Sequence, residues 1–258
     1  MKRVVVISDL HCGHRAGLTP PIYQYREGDG ERGKFSVIQK TMWDWYTKKL
    51  ESLQPIHMLI VNGDAIEGKG DRSGGTEIIE ADREKQVDMA IDCIGAAKAE
   101  KKVVIYGTPY HTGTEEDWEA VLAKLVGADI KSRAFVNCEG VTFDVKHKVA
   151  GSIVPYGRYT APARERIWNL VWAERGMAPK ANIFIRSHVH YLTFAGDSRN
   201  LTITSPCLQG PGSKYGARQC SGTIDIGVLS FDCYEENKYN FEHHLLDMTF
   251  LAEEAIEV

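Results

Sequence analysis

Hydrophobic positions alternate along the chain between short β-branched runs and longer segments with helical spacing. The stretch at 2–11 begins with an apolar run that has almost no polar interruption, which is typical of a strand buried on both faces. Similar runs predict further buried strands at 57–61, 102–106 and 182–186. Apolar residues at helical spacing predict helices over 34–53, 76–99, 115–126 and 162–174.

The second half of the chain has a different texture, with shorter apolar runs. They predict strands at 135–136, 141–146, 149–154, 192–195, 201–203, 224–231 and 239–246, the last four as antiparallel hairpins. Strand–helix alternation followed by antiparallel strands predicts an α/β fold, a two-sheet sandwich with helices outside. No linker, repeat or low-complexity tract divides the chain, so we expect residues 1–258 to form a single domain.

Side chains of metal-ligand type follow four of the predicted strands. They are Asp9, His11, Asp64, His111, His188 and His190, and His147 lies between two further strand candidates. Residues two apart in an extended chain project from the same face, so Asp9 and His11 should point at one spot. A single buried histidine is more often a hydrogen-bonded core residue than a ligand. The recurrence of Asp and His at strand ends is what indicates a site.

The ligand types indicate which ions would bind. Mixed imidazole and carboxylate ligands suit Mn, Fe, Zn, Co or Ni better than Ca or Mg alone. Two carboxylates and four or five imidazoles exceed what one ion with an open coordination position needs. Two ions roughly 3.5–4 Å apart, bridged by one carboxylate, would use them all. We therefore expect two divalent transition-metal ions, with Mn²⁺ as the first expectation.

Composition and charge narrow the function classes. The chain has 43% hydrophobic and 26% charged residues over 258 positions, which fits an ordinary soluble globular protein. A formal net charge of −4 argues against holding nucleic acid by a bulk positive field. No signal peptide precedes the first strand and no apolar run approaches membrane-spanning length, so a cytoplasmic protein without a membrane partner is expected. The six cysteines form no C-x-x-C pair and are expected to be reduced thiols.

Three motifs carry a resemblance to a known family. D-L-H at 9–11, G-D-A-I-E-G at 63–68 and S-H-V-H at 187–190 resemble the D-x-H, G-D-x-x-x-G and G-H-x-H motifs of the calcineurin-like metallophosphoesterases. Their order and spacing match over nearly the whole chain. The resemblance implies a four-layer αββα sandwich of two mixed β-sheets flanked by helices, with a dinuclear metal centre.

The resemblance also implies ligand assignments at the matching positions. Asp9, His11 and His190 would hold one metal ion. His147 and His188 would hold the other ion. Asp64 would bridge the two.

The family's third motif departs from its usual form. The usual motif is G-N-H followed by Asp or Glu, in which the Asn binds the second metal and the His faces the leaving group. This chain has G-T-P-Y-H at 107–111, which is similar to variants in phage and prophage phosphoesterases. A Thr hydroxyl is a poor substitute for an amide carbonyl as a ligand. His111 is expected either to be the catalytic residue, protonating the departing oxygen, or to enter the second metal's shell; the catalytic role is favoured.

The expected activity is hydrolysis of a phosphate ester by metal-activated water. Neither G-x-S-x-G nor a Walker loop occurs, so no side-chain nucleophile is indicated. A phosphodiesterase or nuclease-like activity is favoured, because Arg, Lys and Tyr residues in the loops at 12–33 and 206–222 would hold a polyanion or stack a base. The expected partner is a phosphate-ester substrate, with nucleic acid as one option. A phosphomonoesterase and, from another class, a non-catalytic metal-binding module are the alternatives.

Overall fold

Strand β1 (Lys2–Ile7) lies within a six-stranded sheet in the computed structural model, which describes residues 1–28, 30–113, 116–214 and 223–248. Val4, Val5, Val6 and Ile7 are buried, as the uninterrupted apolar run predicts. The other strands are β2 (Met58–Asn62), β3 (Lys101–Ile105), β4 (Asp129–Lys131), β10 (Ile226–Tyr234) and β11 (Lys238–Leu246). The order is β11-β10-β1-β2-β3-β4, with β1 to β4 parallel and β10 antiparallel to both of its neighbours.

A second sheet has five strands in the order β5-β6-β7-β9-β8. They are β5 (Ala134–Cys138), β6 (Val141–Lys148), β7 (Ile183–Ser187), β8 (Thr193–Gly196) and β9 (Leu201–Thr204). Strands β6, β7 and β9 run parallel, and the outer pairs β5–β6 and β8–β9 are antiparallel. Both sheets are therefore mixed.

Five α-helices occur in the described residues. They are α1 (Gly33–Ser52), α2 (Arg83–Gly95), α3 (Pro109–Thr112), α4 (Trp118–Leu125) and α5 (Thr160–Glu174). Short 3₁₀ turns lie at Pro21–Tyr23, Gly30–Arg32, Asp71–Ser73 and Pro155–Tyr159. The Asp82 side chain accepts a hydrogen bond from the backbone N–H of Glu84 and so caps the start of α2.

The apolar faces of the two sheets and of the helices pack against one another, and this packing determines the order of the layers. Side chains from both sheets form one buried cluster, in which the rings of Phe143 and Phe231 meet edge to face at 5.1 Å. Helices α1, α2 and α4 cover the other face of the first sheet through residues such as Met42 and Ile94. The fold is a sandwich of two mixed sheets flanked by helices, which confirms the predicted architecture.

Ion pairs connect helix α5 to the second sheet. The fully buried Arg186 of β7 contacts Asp144 of β6 at 3.2 Å and Glu165 of α5 at 3.0 Å. Its guanidinium also donates to the backbone carbonyls of Asp144 and Ile185. Several large apolar side chains of α5 remain exposed, including Ile167.

The structure corrects several predicted elements. The strand predicted at 149–154 is wrong: this segment is irregular and leads into the Pro155–Tyr159 turn, and the Ile153 side chain is 71% exposed. The helix predicted to begin at residue 76 begins at Arg83, after the Asp82 cap. The helix predicted at 115–126 begins at Trp118, and the short α3 precedes it. Strand β4 was not predicted, because its three residues contain a single apolar side chain, Ile130, and are too few to form a recognisable pattern.

Candidate metal centre

The predicted ligand residues meet at one edge of the sandwich. Strands β1, β2 and β3 are parallel, so their carboxyl ends share an edge, and the ends of β6 and β7 face the same region. Three groups of ligand atoms each lie within 4.8 Å of one another. The groups are Asp9–His11–His190, Asp64–His147–His188 and His11–Asp64–His111. All seven residues singled out from the sequence are thus brought together.

The backbone at these residues is not extended. Asp9 and His11 have φ values of 52° and 48°, Asp64 has 49°, and His188 and His190 have 75° and 56°. The left-handed region is uncommon for residues with a side chain, and such conformations concentrate at functional sites. The strand-alternation reason for the convergence of Asp9 and His11 is therefore wrong, since β1 ends at Ile7 and both residues lie in tight turns.

Backbone hydrogen bonds hold these turns against one another. The N–H of Asp9 donates to the carbonyl of Gly63 and that of His11 to the carbonyl of Asp64, both at 3.0 Å. The N–H of Leu208 donates to the carbonyl of Asp9 at 3.1 Å. The strained turns are thus fixed by the surrounding chain, as strain at a site requires.

Three imidazoles are oriented by the acceptor that faces Nδ1. His147 Nδ1 lies 2.7 Å from the Asn62 carbonyl, His111 Nδ1 lies 2.7 Å from the Glu67 carbonyl, and His11 Nδ1 lies 2.9 Å from Glu67 Oε2. A carbonyl or carboxylate oxygen only accepts, so Nδ1 carries the proton. In a neutral ring the Nε2 lone pair is then left for the interior of the site, which is how metal-binding histidines are arranged in proteins.

The Nε2 atoms face carboxylates and one another. His147 Nε2 lies 3.0 Å from Asp64 Oδ2, and His190 Nε2 lies 3.2 Å from Asp9 Oδ1. His11 Nε2 is 3.3 Å from His190 Nε2. Asp9 Oδ1 is buried and accepts no hydrogen bond within the described part of the chain. Buried lone pairs that converge in this way need shared protons or cations between them, and this donor set fits divalent transition metals.

Burial and the close approach of charged groups also shift the pKa values of these side chains. Burial alone would lower the pKa of His147, but Asp64 and Asp9 reverse this and raise it to about 9. Burial raises the pKa of Asp9, but His190 and His147 outweigh it and lower that pKa to about 2. Burial lowers the pKa of His11 to about 4, against the opposing effect of Glu67. A cation entering the site would therefore displace protons from some imidazoles.

Thr108 contacts the central carboxylate directly. Its backbone N–H donates to Asp64 Oδ1 at 2.6 Å, and its hydroxyl lies 3.2 Å from Oδ1 and 3.4 Å from Oδ2. Thr108 thus orients Asp64. His111 Nε2 lies 3.9 Å from Asp64 Oδ2, and the His111 ring meets that of His11 edge to face at 4.7 Å. Both roles considered for His111 are compatible with this position.

Two buried glutamates at the site were not predicted. Glu67 holds His11. Burial raises the pKa of Glu67, but the hydrogen bond to His11 together with the charges of His111, His11 and His14 lowers it to about 2. Glu119 accepts from the N–H of Ala65 at 3.0 Å and from that of Gly107 at 2.7 Å, and so joins the turns after β2 and β3. Burial and then the charge of Asp64 raise the pKa of Glu119 to about 7.

A sequence pattern indicates Glu67, whereas none indicates Glu119. Glu67 lies within the glycine-flanked G-D-A-I-E-G motif, whose position after a predicted strand was a usable signal. Glu119 lies on α4, where a charged residue in a short helix is ordinarily read as solvent-facing.

Glycine is required where the turns approach each other. Gly63 has a φ of 81°, and a Cβ there would lie 2.4 Å from His147 Nδ1. A Cβ at Gly107 would lie 2.1 Å from Asp64 Oδ1. Larger residues at either position would push ligand side chains out of place.

A pocket of about 420 Å³ opens beside the ligand groups. Its lining includes most of these ligand residues together with residues from other loops: His14, Ser73, Glu77, Tyr110, Lys148, Gln209, Ser213 and Lys214. The volume lies in the range of small-molecule binding sites, roughly 300–1,000 Å³.

The basic and aromatic loop residues divide between two places. Lys214 lines the pocket at the ligand groups. Tyr25 and Arg26 instead line a different surface hollow with Lys40 and Asp44, and Arg15 is paired with Glu77 at 2.7 Å. Tyr25 and Arg26 are therefore not at the site, whereas Arg15 lies beside it through Glu77, which lines the pocket. Arg218, considered with them, lies outside the described residues.

The described cysteines are buried and free: Cys12, Cys93, Cys138, Cys207 and Cys233. Cys12 Sγ lies 3.8 Å from Cys93 Sγ, and both groups are packed in the core on the helical side of the first sheet. Cys220 lies outside the described residues. None of the helices in the described ranges combines the length and the apolar character that crossing a bilayer requires.

Comparison with known proteins gives structural similarity only. No family model matches the sequence, and no curated protein matches it. A single mutant of Vps29 from Entamoeba histolytica is similar at 11% identity, over 95% of this chain and 99% of that chain, with a TM-score of 0.49. Wild-type Vps29 from the same organism, complexed with Zn²⁺, is similar at 11% identity over 94% and 98%, with a TM-score of 0.45.

A novel archaeal phosphodiesterase is similar at 13% identity, over 94% of this chain and 99% of that chain, with a TM-score of 0.45. Similarity at these values does not assign an activity to this chain.

Replacing Gly63 with Ala tests whether the turns are as closely packed as described. We expect G63A to lower the free energy of unfolding by at least about 2 kcal/mol, because the new Cβ overlaps His147 at a positive φ. The measurement is urea unfolding followed by circular dichroism. The matched control is G95A in α2, where a new Cβ meets no other atom. This substitution should raise the free energy of unfolding by about 0.5–1 kcal/mol. Equal stabilities of G63A and the wild type would contradict this packing.

Proposed function

We propose that this chain is a metal-dependent phosphoesterase that hydrolyses a phosphate diester. The observation that carries the proposal is the pair of ligand groups, Asp9–His11–His190 and Asp64–His147–His188, placed side by side at the floor of an open pocket. When bound, two divalent ions in such groups supply an activated water and positive charge for the phosphate oxygens.

Each ligand residue has a distinct role in the proposal. Asp9, His11 and His190 would hold one ion, and His147 and His188 would hold the other. Asp64 lies next to both groups: its Oδ2 is 3.0 Å from His147 Nε2 and 3.9 Å from His188 Nδ1, and one of its carboxylate oxygens is within 4.8 Å of a ring nitrogen of His11. This central position supports Asp64 as the bridging ligand, and Thr108 keeps its carboxylate in that orientation. Mn²⁺ is the ion proposed first, because carboxylate and imidazole ligands both suit it.

His111 is proposed to act on the leaving group. Its side chain is 13% exposed and lines the pocket, so it is open to a bound substrate. Its Nδ1 donates to the Glu67 carbonyl, which holds the ring with Nε2 toward the pocket. In its doubly protonated, imidazolium form, His111 would donate the Nε2 proton to the departing oxygen or hydrogen-bond to it.

A diester is preferred to a monoester because of the pocket beyond the ligand groups. Its 420 Å³ leaves room for substituents on both sides of a phosphate, and its solvent-exposed charged side chains include Lys148 and Lys214. The second candidate, a non-catalytic metal-binding module, is favoured by one observation: Thr108 stands where the family motif has a metal-binding Asn.

The activity is tested with a matched pair of substrates. With added Mn²⁺, we expect hydrolysis of bis(p-nitrophenyl) phosphate to exceed that of p-nitrophenyl phosphate. D64N should lose activity at least about 100-fold, since it removes the charge shared by both ligand groups. The control E236Q changes an exposed carboxylate at the far turn of β10–β11 and should retain activity. Turnover of the monoester alone would exclude the diesterase, and no turnover of either would favour the binding module.

The two roles of His111 make different predictions for H111A. A catalytic His111 predicts two bound ions per chain by elemental analysis and diester activity reduced on the order of 100-fold. A metal-ligand role predicts that the same variant binds fewer ions than the wild type. The expected result is the first, and a reduced ion count in H111A would contradict it.

A further inference from the structure

The pocket extends beyond what a single phosphate group needs. Besides the ligand residues it is lined by side chains from the ends of β6 and from the segment that follows β9. Lys148 ends β6, and Gln209 and Lys214 lie on the segment after β9. None of these three residues has a part in the reaction described above. Their chemistry indicates what the outer part of the pocket binds.

The charges on the pocket wall are segregated by exposure. The acidic groups Asp64, Glu67 and Glu77 are buried, with 1%, 6% and 4% of their surface exposed, and each is paired with neighbouring groups. The lysines Lys148 and Lys214 are solvent-exposed. Among the described residues of the pocket wall, the accessible charges are therefore positive. An entering ligand meets these charges although the chain as a whole is acidic.

Lys214 is held at the rim by specific contacts. Its backbone N–H donates to the buried Glu77 Oε1 at 3.1 Å, and its Nζ lies 3.0 Å from Thr76 Oγ1. Glu77 also receives Arg15 at 2.7 Å and lies 3.6 Å from His14 Nε2. One buried carboxylate thus gathers three basic residues beside the pocket, which reduces the entropy that Lys214 would lose on holding an anion.

Gln209 provides an independent indication of a ligand. The residue is only 3% exposed and lines the pocket, and its Oε1 is buried without a hydrogen-bond partner in the described part of the chain. Leaving a buried polar atom unpaired is unfavourable, because the atom loses its hydrogen bond to water and gains none in the protein. A donor on a bound ligand, such as a sugar hydroxyl or a base N–H, would satisfy it.

From these contacts we propose that Gln209, Lys148 and Lys214 form a subsite for a nucleoside that carries a second phosphate. This inference rests on the proposed function, since it places the scissile phosphate at the ligand groups. The lysines bind the second phosphate, and the Gln209 carboxamide hydrogen-bonds the nucleoside. The preferred substrate is then a diester with a further phosphate, either in a nucleotide strand or in a pyrophosphate.

The test measures nucleotide binding, so that it does not depend on turnover. Calorimetric titration of the Mn²⁺-loaded protein compares thymidine 5′-monophosphate with thymidine 3′,5′-bisphosphate and thymidine 5′-diphosphate. We expect the wild type to bind at least one of the doubly phosphorylated nucleotides on the order of tenfold more tightly than the monophosphate. The 3′,5′-bisphosphate indicates a strand, and the 5′-diphosphate indicates a pyrophosphate.

Variants assign the preference to particular side chains. K148M and K214M should each reduce it several-fold, and added salt should weaken it, because both lysines are exposed. Q209L should weaken the binding of all three nucleotides to a similar degree, because Gln209 is proposed to contact the nucleoside, which all three share. The control K238M changes an exposed lysine at the opposite end of the first sheet and should leave all affinities unchanged.

Two results would overturn the subsite: equal wild-type affinity for the three nucleotides, or a preference that survives in both K148M and K214M. Unchanged affinities in Q209L would remove Gln209 from it. A protein that hydrolyses no diester yet shows the lysine-dependent preference would refute the proposed reaction and leave the subsite standing. The two failures are therefore distinguishable.

Discussion

Buried lone pairs that converge on one point are the constraint on which the rest of the structure depends. The buried carboxylates of Asp9 and Asp64 face imidazole nitrogens at 3.2 and 3.0 Å, and the Nε2 atoms of His11 and His190 face each other at 3.3 Å. Such an arrangement is unfavourable unless protons or cations lie between the groups. Acceptors fixed at Nδ1 direct the Nε2 lone pairs inward, so cations satisfy the geometry more completely than protons do.

The scaffold stabilises this arrangement through backbone conformations that are otherwise rare. Five of the ligand residues have positive φ, and glycine occupies positions where neighbouring turns leave no room for a Cβ. Glu119 ties the turns after β2 and β3 together, and Thr108 orients the carboxylate between the two ligand groups. The parallel strands bring these turns to one edge, while the apolar cluster between the sheets keeps that edge rigid.

Much of this was predictable from local pattern, and the reasons for the failures are physical. Uninterrupted apolar runs identify buried strands well, and Asp and His at their ends identify the site because carboxyl ends of parallel strands converge. The strand predicted at 149–154 was wrong because Ile153 is exposed in a turn, and apolar content alone does not report burial. Glu119 was invisible because its role depends on two N–H groups that are distant in sequence.

The convergence of Asp9 and His11 was predicted for a wrong reason, since their turns are left-handed and not extended. Long-range hydrogen bonds to Gly63 and Asp64 produce that conformation, and no local sequence rule contains them.

Crystals grown with MnCl₂ and measured at the manganese absorption edge test the central claim most directly. An anomalous difference map should show two peaks roughly 3.5–4 Å apart on either side of the Asp64 carboxylate, one beside His190 and the other beside His147. A map without any peak next to Asp64, with those imidazoles turned away from it, would contradict the account.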